Sequence, residues 1–225
     1  KTYEDVVREF KSFTQLATYL DGITDEDAMV VRIMAHLPEY LTTLGERLLS
    51  TPTSKSGLLT PRKYEFTGET QSFQGHTLRR IRAVRDFDLV YAGTLGGWIE
   101  KEENLSHEGT AWVAGEARVY EDARIYGNAQ VCGSALIYGN AQVYGDARVY
   151  GYAIIEEEAW IFGDATICEH AEVYGKARVY GHSKVCGDAK VFDSARVYGG
   201  AIVHGGARIY GDTQLVECMS IWEGW

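Results

Sequence analysis

The sequence predicts a mainly β protein: a parallel β-helix of hexapeptide repeats, preceded by a small β-rich cap and an N-terminal helical module. Three observations carry the β-helix. An aliphatic residue recurs at every sixth position from Val113 to Ile221, 19 times with no insertion or deletion. A small residue stands two positions before it, alanine throughout from Ala111 to Ala207 except at Ser183, with Thr213 and Met219 in the last two repeats. The position two after it is glycine in 13 of the 19 hexads, as in Val143-Tyr144-Gly145.

Each feature has a physical reading. Residues of a short strand point alternately in and out, so the aliphatic residue and the alanine two before it share the inward side. Alanine fits a crowded corner, and glycine takes turn conformations that side chains resist. Three sides per coil make 19 hexads into about six coils and one extra side. The column is then roughly 30 Å long at the strand spacing of about 4.8 Å.

Taken in order, residues 1–50 read as α-helical. Tyr3, Val6, Val7, Phe10, Phe13, Leu16 and Leu20 recur at three- and four-residue steps, one apolar helix face. Asp21-Gly22 closes that helix, Thr24-Asp25-Glu26-Asp27 opens a second, and Pro38 fits the first turn of a third. Residues 51–62 have linker composition. Residues 63–110 change period: Tyr64 and Phe66 alternate with polar neighbours, Gly68 and Gly75 are expected to bracket a turn, and Leu78–Val84 reads as a strand. This β-rich segment is the expected cap, since the first coil of a solenoid exposes an open edge and an uncovered core. Residues 111–225 form the repeat.

Charge and composition exclude some classes. The net charge is −10, and the repeat holds 9 basic against 15 acidic residues, so no direct attraction for nucleic acid is expected. No apolar run reaches membrane-spanning length, no leader pattern stands at the start, and a cytoplasmic location is expected. Cys132, Cys168, Cys186 and Cys218 show no CxxC spacing and are read as free thiols. If any pair oxidises, it is Cys168 with Cys186, one coil apart.

Residues 111–221 resemble the left-handed β-helix hexapeptide-repeat proteins, whose best-known members are trimeric acyltransferases. A more specific set resembles the YdcK-like group. It comprises Lys63-Tyr64-Glu65-Phe66, Ile81-Arg82-Ala83-Val84-Arg85-Asp86-Phe87, Ala92-Gly93-Thr94-Leu95-Gly96-Gly97-Trp98-Ile99, Asn104-Leu105-Ser106 and Ala111-Trp112-Val113. The resemblance implies left-handed winding.

Catalytic and metal chemistry find little to stand on. An acyltransferase needs a general-base histidine in a pocket between protomers, and family enzymes extrude a loop to build it. The 19 hexads extrude none, while His170 and His182 fall at corners and His204 in a tyrosine column. Cys168, Cys186 and His204 stack on successive coils, but a straight ladder does not converge on a tetrahedron and no fourth zinc ligand is evident. The acidic cluster of Glu156, Glu157 and Glu158 reads as solvated corners. No catalytic residue, cofactor or metal is therefore assigned.

The outward ladders are more informative. One side presents Tyr126, Tyr144, Phe162, Tyr180 and Tyr198 beside Arg124, Gln142, Trp160, Arg178 and Arg196. Another presents Tyr120, Tyr138, Tyr174, Phe192 and Tyr210, flanked by Leu136 and Ile154. Such stacks stabilise neighbouring coils; they also have the composition of protein hot spots. The interface candidates are Leu136, Ile154, Trp160, Tyr144, Phe162, Arg178, Tyr180, Arg196 and Tyr198, with Met219, Trp222 and Trp225 at the C-terminal end and Phe10 and Phe13 in the helical module. The function expected is a non-enzymatic binding or assembly scaffold, a rigid β-helix that displays these ladders, with the helical module of residues 1–50 serving oligomerisation or partner capture; it engages a protein partner and forms a homo-oligomer, dimer or trimer. Two alternatives stand: a phage or mobile-element inhibitor that blocks a host nucleic-acid-handling defence complex by steric or charge mimicry, and an acyltransferase-like hexapeptide enzyme.

Overall fold

The computed structural model describes residues 62–216 and 220–221. The helices expected over residues 1–50 lie outside them. Among the described residues the chain is a parallel β-solenoid of three sheets, about seven turns long. Nineteen strands of two or three residues, from Trp112–Val113 to Ser220–Ile221, wind around one apolar column. The first sheet runs through Arg118–Val119, Leu136–Ile137, Ile154–Ile155, Glu172–Val173, Lys190–Val191 and Arg208–Ile209. The second starts at Arg124–Ile125 and the third at Trp112–Val113. Each strand pairs in parallel with the strand 18 residues on, as Trp160 does with Arg178.

The six-residue beat sets this geometry. The inward aliphatics from Val113 to Leu215 are no more than 4 % exposed, and the alanines before them are fully buried. Each Val or Ile contributes about 1.5–3 kcal/mol on burial, which favours the coil over the unfolded chain. Ser183, the departure from alanine, is also buried and donates its hydroxyl hydrogen to Tyr180 O at 2.8 Å. Backbone groups are satisfied one coil away: Trp160 N donates to Ala177 O at 2.9 Å and Phe162 N to Val179 O at 3.0 Å. At the corners the chain needs a positive φ. Gly145 takes +70°, and a Cβ there would stand 2.9 Å from Gly163 N.

The solenoid starts earlier than the uninterrupted beat. Ile99 pairs in parallel with Val119, and Leu105 with Ile125. Ile99 and Leu105 already keep the six-residue step; the next inward residue, Val113, comes after eight. The expected six coils therefore become about seven. The two extra residues are His107 and Glu108, because Ser106 N bonds Ile125 O and Thr110 N bonds Gly127 O on either side of them.

The cap is a β-hairpin, β1 (Tyr64–Phe73) and β2 (His76–Ala83), antiparallel to each other and joined to β3 (Leu95–Ile99), the first side of the solenoid. Gly68 does not bracket a turn. It sits in β1 at φ +92°, where the pairing shifts register between Phe66 and Thr70, a bulge that bends the strand. The turn is Gln74–Gly75 alone. Gly96 and Gly97 allow close approach: added Cβ atoms would lie 2.5 Å from Ile81 Cγ1 and 2.6 Å from Ala117 O. Tyr64, Ile81, Ala83, Phe87 and Trp112 then close the N-terminal end of the apolar column.

Candidate binding face

The second sheet brings together the largest set of expected interface residues. Tyr126, Tyr144, Phe162, Tyr180 and Tyr198 form one continuous stack, with ring centroids 4.7–5.0 Å apart and ring planes within 4°. The spacing follows from the strands, since the coil repeat equals the stacking distance of an aromatic ring. The three interior rings, Tyr144, Phe162 and Tyr180, are covered on both faces by their neighbours, so along its length the stack offers solvent ring edges rather than ring faces.

Beside the stack runs the column Arg124, Gln142, Trp160, Arg178, Arg196 and Gln214. The Arg178 guanidinium lies 4.8 Å from the Trp160 ring centre, a cation–π contact. Tyr126 donates its hydroxyl hydrogen to Gln142 Oε1 at 3.0 Å. Neither outward column of this sheet contains a carboxylate, so three arginines and an aromatic wall share one face of a chain whose net charge is −10. Burial, with a smaller opposing pull from Arg178, holds the Tyr144 hydroxyl above its ordinary pKa, so it remains a neutral hydrogen-bonding group.

Leu136 and Ile154 are placed elsewhere. They pair side by side on the first sheet, half-buried. The ladder beside them is less open than its pattern implies. The hairpin tip folds over its first rung: Tyr120 is 1 % exposed, donates its hydroxyl to Gln74 Oε1 at 3.0 Å and packs with Leu78 and Trp98. Arg118 is held there too, its guanidinium 4.7 Å from the Phe73 ring centre. Met219, Trp222, Trp225, Phe10 and Phe13 fall outside the described side chains.

The third sheet overturns one expectation. Cys168 and Cys186 form a disulfide, with Cα atoms 4.8 Å apart, rather than free thiols. Successive coils hold equivalent residues within disulfide range, and both cysteines are buried although their column faces outward. Cys132, two coils away, is a free thiol; Cys218 lies outside the described residues. His170 stacks on Tyr152 at 5.1 Å, and His182 Nδ1 lies 3.2 Å from an Asp164 carboxylate oxygen.

The acidic cluster is structural. Glu157 occupies the glycine position of a corner at φ +57° and accepts the Gly175 N–H at 2.7 Å. Glu156 accepts the Tyr138 hydroxyl hydrogen, and Glu172 pairs with Lys190 at 2.6 Å. Among the described residues no group of His, Cys, Asp and Glu is arranged to hold a metal ion. No helix among them is long and apolar enough to cross a membrane.

Two comparisons with known proteins bear on the repeat. A sequence model of the YdcK β-solenoid repeat matches residues 117–133 and 141–157. An Escherichia coli (strain K12) protein named "Uncharacterized acetyltransferase YdcK" is 40 % identical over 60 residues, covering 23 % of this chain and 18 % of its own length. The chain thus matches less than a fifth of that relative. Within the parallel β-solenoid, the segments that match the YdcK repeat, 117–133 and 141–157, lie in the N-terminal half of the column.

Proposed function

We propose that this chain is a non-enzymatic binding scaffold whose second sheet engages a protein partner. The observation that supports this reading is the carboxylate-free face made of one five-ring stack, Trp160 and the arginine column. Its side chains are held by stacking before any partner arrives, so little rotamer entropy is lost on docking. Tyr, Trp and Arg are also the residue types that dominate binding hot spots. In this reading the winding is left-handed, as in the hexapeptide-repeat proteins it resembles, the protein is cytoplasmic, and the solenoid self-associates as a dimer or trimer.

The test compares faces. Trp160→Ala combined with Arg178→Ala is expected to abolish partner capture and leave the melting temperature within a few degrees of the parent. Lys184→Ala on the third sheet is expected to change neither. Equal capture by both variants moves the binding site off the second sheet.

A second reading, acetyl transfer, is favoured by the name of the Escherichia coli relative. It requires acetyl-CoA binding and an assembly in which a neighbouring protomer completes the pocket. A monomer by sedimentation, with no heat of acetyl-CoA binding by calorimetry, removes that reading and leaves the scaffold.

A further inference from the structure

The cap gathers the buried Lys63 and the half-buried Arg85 around the ring of Phe87 with no acid among the described residues to match them. Lys63 is fully buried. Its ammonium donates to Ala111 O at 2.6 Å and reaches Glu108 O only at 3.5 Å. Lys63 Nζ lies 5.4 Å from the Phe87 ring centre and the Arg85 guanidinium 5.9 Å from the same centre. Among the described residues, neither cation has a carboxylate partner within ion-pair distance. Burial, then the neighbouring Arg85, lower the Lys63 pKa to about 8, which still leaves it charged at neutral pH. A buried charge without a counter-charge is strongly disfavoured.

The two-residue insertion in the solenoid brings a third donor to this place. His107 Nδ1 accepts the Lys63 backbone N–H at 3.1 Å, so the ring proton resides on Nε2. That Nε2–H is buried with no partner, and so is the Nε–H of Arg85. The ring cannot turn away easily, since it stacks on Tyr64 at 4.3 Å. The carboxylate whose charge His107 feels, Glu102, is engaged by Arg62 at 3.3 Å. Orphaned buried donors call for an acceptor. A water molecule accepts hydrogen bonds but brings no charge.

We infer that Lys63, Arg85 and His107 form an oxyanion-binding subsite in the cap, suited to the terminal oxygens of a phosphoryl or carboxylate group. One oxygen accepts from His107 Nε2, another from Arg85 Nε, and the ammonium of Lys63 supplies the buried counter-charge. The insertion of His107 and Glu108, unneeded by the winding of the column, then has a purpose.

The full chain is titrated with inorganic phosphate, and separately with acetate, at ionic strength held constant with chloride. The His107 imidazole resonances are followed by NMR. A saturable shift with either anion is expected, and the tighter of the two identifies the group as phosphoryl or carboxylate. Arg85→Gln and His107→Gln, checked for folding by circular dichroism, are expected to weaken binding at least tenfold by thermal shift. Arg148→Gln on the third sheet is expected to bind like the parent. Overturning results are an unsaturable response indistinguishable from chloride, or equal affinities for Arg85→Gln and Arg148→Gln. Should Arg85→Gln fail to fold, the titration of the parent protein decides alone.

Discussion

The repeat and the cap stabilise themselves by opposite means. In the repeat, every coil solves its packing with the same few residue types, and its strand donors find their acceptors one coil away, as Trp160 N does at Ala177 O. Val149 and Val179 are interchangeable in role. In the cap nothing is interchangeable. Asn104 is buried because its side chain accepts from Lys101 N at 2.9 Å and donates to Glu121 O and Ala123 O at 3.0 and 2.9 Å. Gly96 and Gly97 are required by close approach, and Lys63 is held through its backbone N–H by His107 and through its ammonium by Ala111 O. A periodic structure tolerates variation in any one repeat; an end structure depends on particular atoms. That difference predicts where polar chemistry and pH dependence belong.

The largest effect is expected from the column. Ile161→Ala leaves a cavity at the centre of the stack and should cost about 2–5 kcal/mol in urea denaturation. Because each coil contacts only its neighbours, amide exchange should accelerate around Val143 and Val179 while Leu78 and Ile81 in the cap keep their protection. Equal acceleration in both regions would show that repeat and cap unfold as one unit. The next effect comes from the disulfide. Its 18-residue separation makes the crosslink worth about 3 kcal/mol by chain entropy. Replacing both Cys168 and Cys186 by serine should lower the urea midpoint accordingly, with local loss confined to the two coils it joins.

The cap should carry an alkaline pH dependence opposite in sign to that of the repeat, where burial raises the Cys132 thiol and the Tyr138 and Tyr144 hydroxyls. Lys63 has a folded-state pKa lowered from 10.5 to about 8, chiefly by burial and then by Arg85. Between those values the unfolded chain binds more protons than the folded one, so stability rises with pH through that window. In chloride buffer the gain from pH 7 to 9.5 should be about 2 kcal/mol, and Lys63→Met should remove it. Measurements belong below pH 10, because burial raises the hydroxyls of Tyr64 and Tyr138 and pushes Tyr120 up to about 12. Those groups act in the other direction, losing stability as pH rises past their unfolded value. A pH slope unchanged in Lys63→Met would place the titration elsewhere.

The same contrast explains what could be read from residues alone. Val113 through Leu215 announce their inward position because the six-residue period repeats often enough to exclude any other period. Ile99 and Leu105 keep the same six-residue step, yet two extra residues at His107 and Glu108 break the beat before it becomes continuous. The signal for a seventh turn was therefore present in the spacing, hidden by one insertion. The covering of Tyr120 by Gln74 and Phe73 left no local trace, since it depends on how β1 bends at Gly68. The disulfide was legible as a pairing, through the 18-residue separation, but not as an oxidation state. The grouping of Trp160, Arg178 and Tyr180 followed from counting coils. The cluster of Lys63, Arg85 and His107 did not, because it joins residues 44 positions apart through contacts that no periodicity describes.

The smallest expected effect tests how far the repeat tolerates exchange at one corner. Along that corner the positive-φ position alternates: Glu121, Gly139, Glu157, Gly175, Asp193 and Gly211. Each acid accepts the N–H of the glycine on the next coil, at 2.8 Å for Gly139, 2.7 Å for Gly175 and 3.0 Å for Gly211. Glu157→Gln keeps an acceptor oxygen and should change stability by less than about 0.5 kcal/mol. Glu157→Gly loses the bond but relieves the left-handed strain of a side chain, and the two effects are of similar size, about 1 kcal/mol each. Its net effect should be within about 1 kcal/mol of zero. Glu157→Val loses the acceptor and adds a β-branched side chain at φ +57°, and should cost about 2 kcal/mol. The order Gln, Gly, Val in thermal midpoints would show that the carboxylates serve as hydrogen-bond substitutes for the plain glycine turn. Glycine falling below valine would instead show that the carboxylate bond outweighs the backbone conformation at this corner.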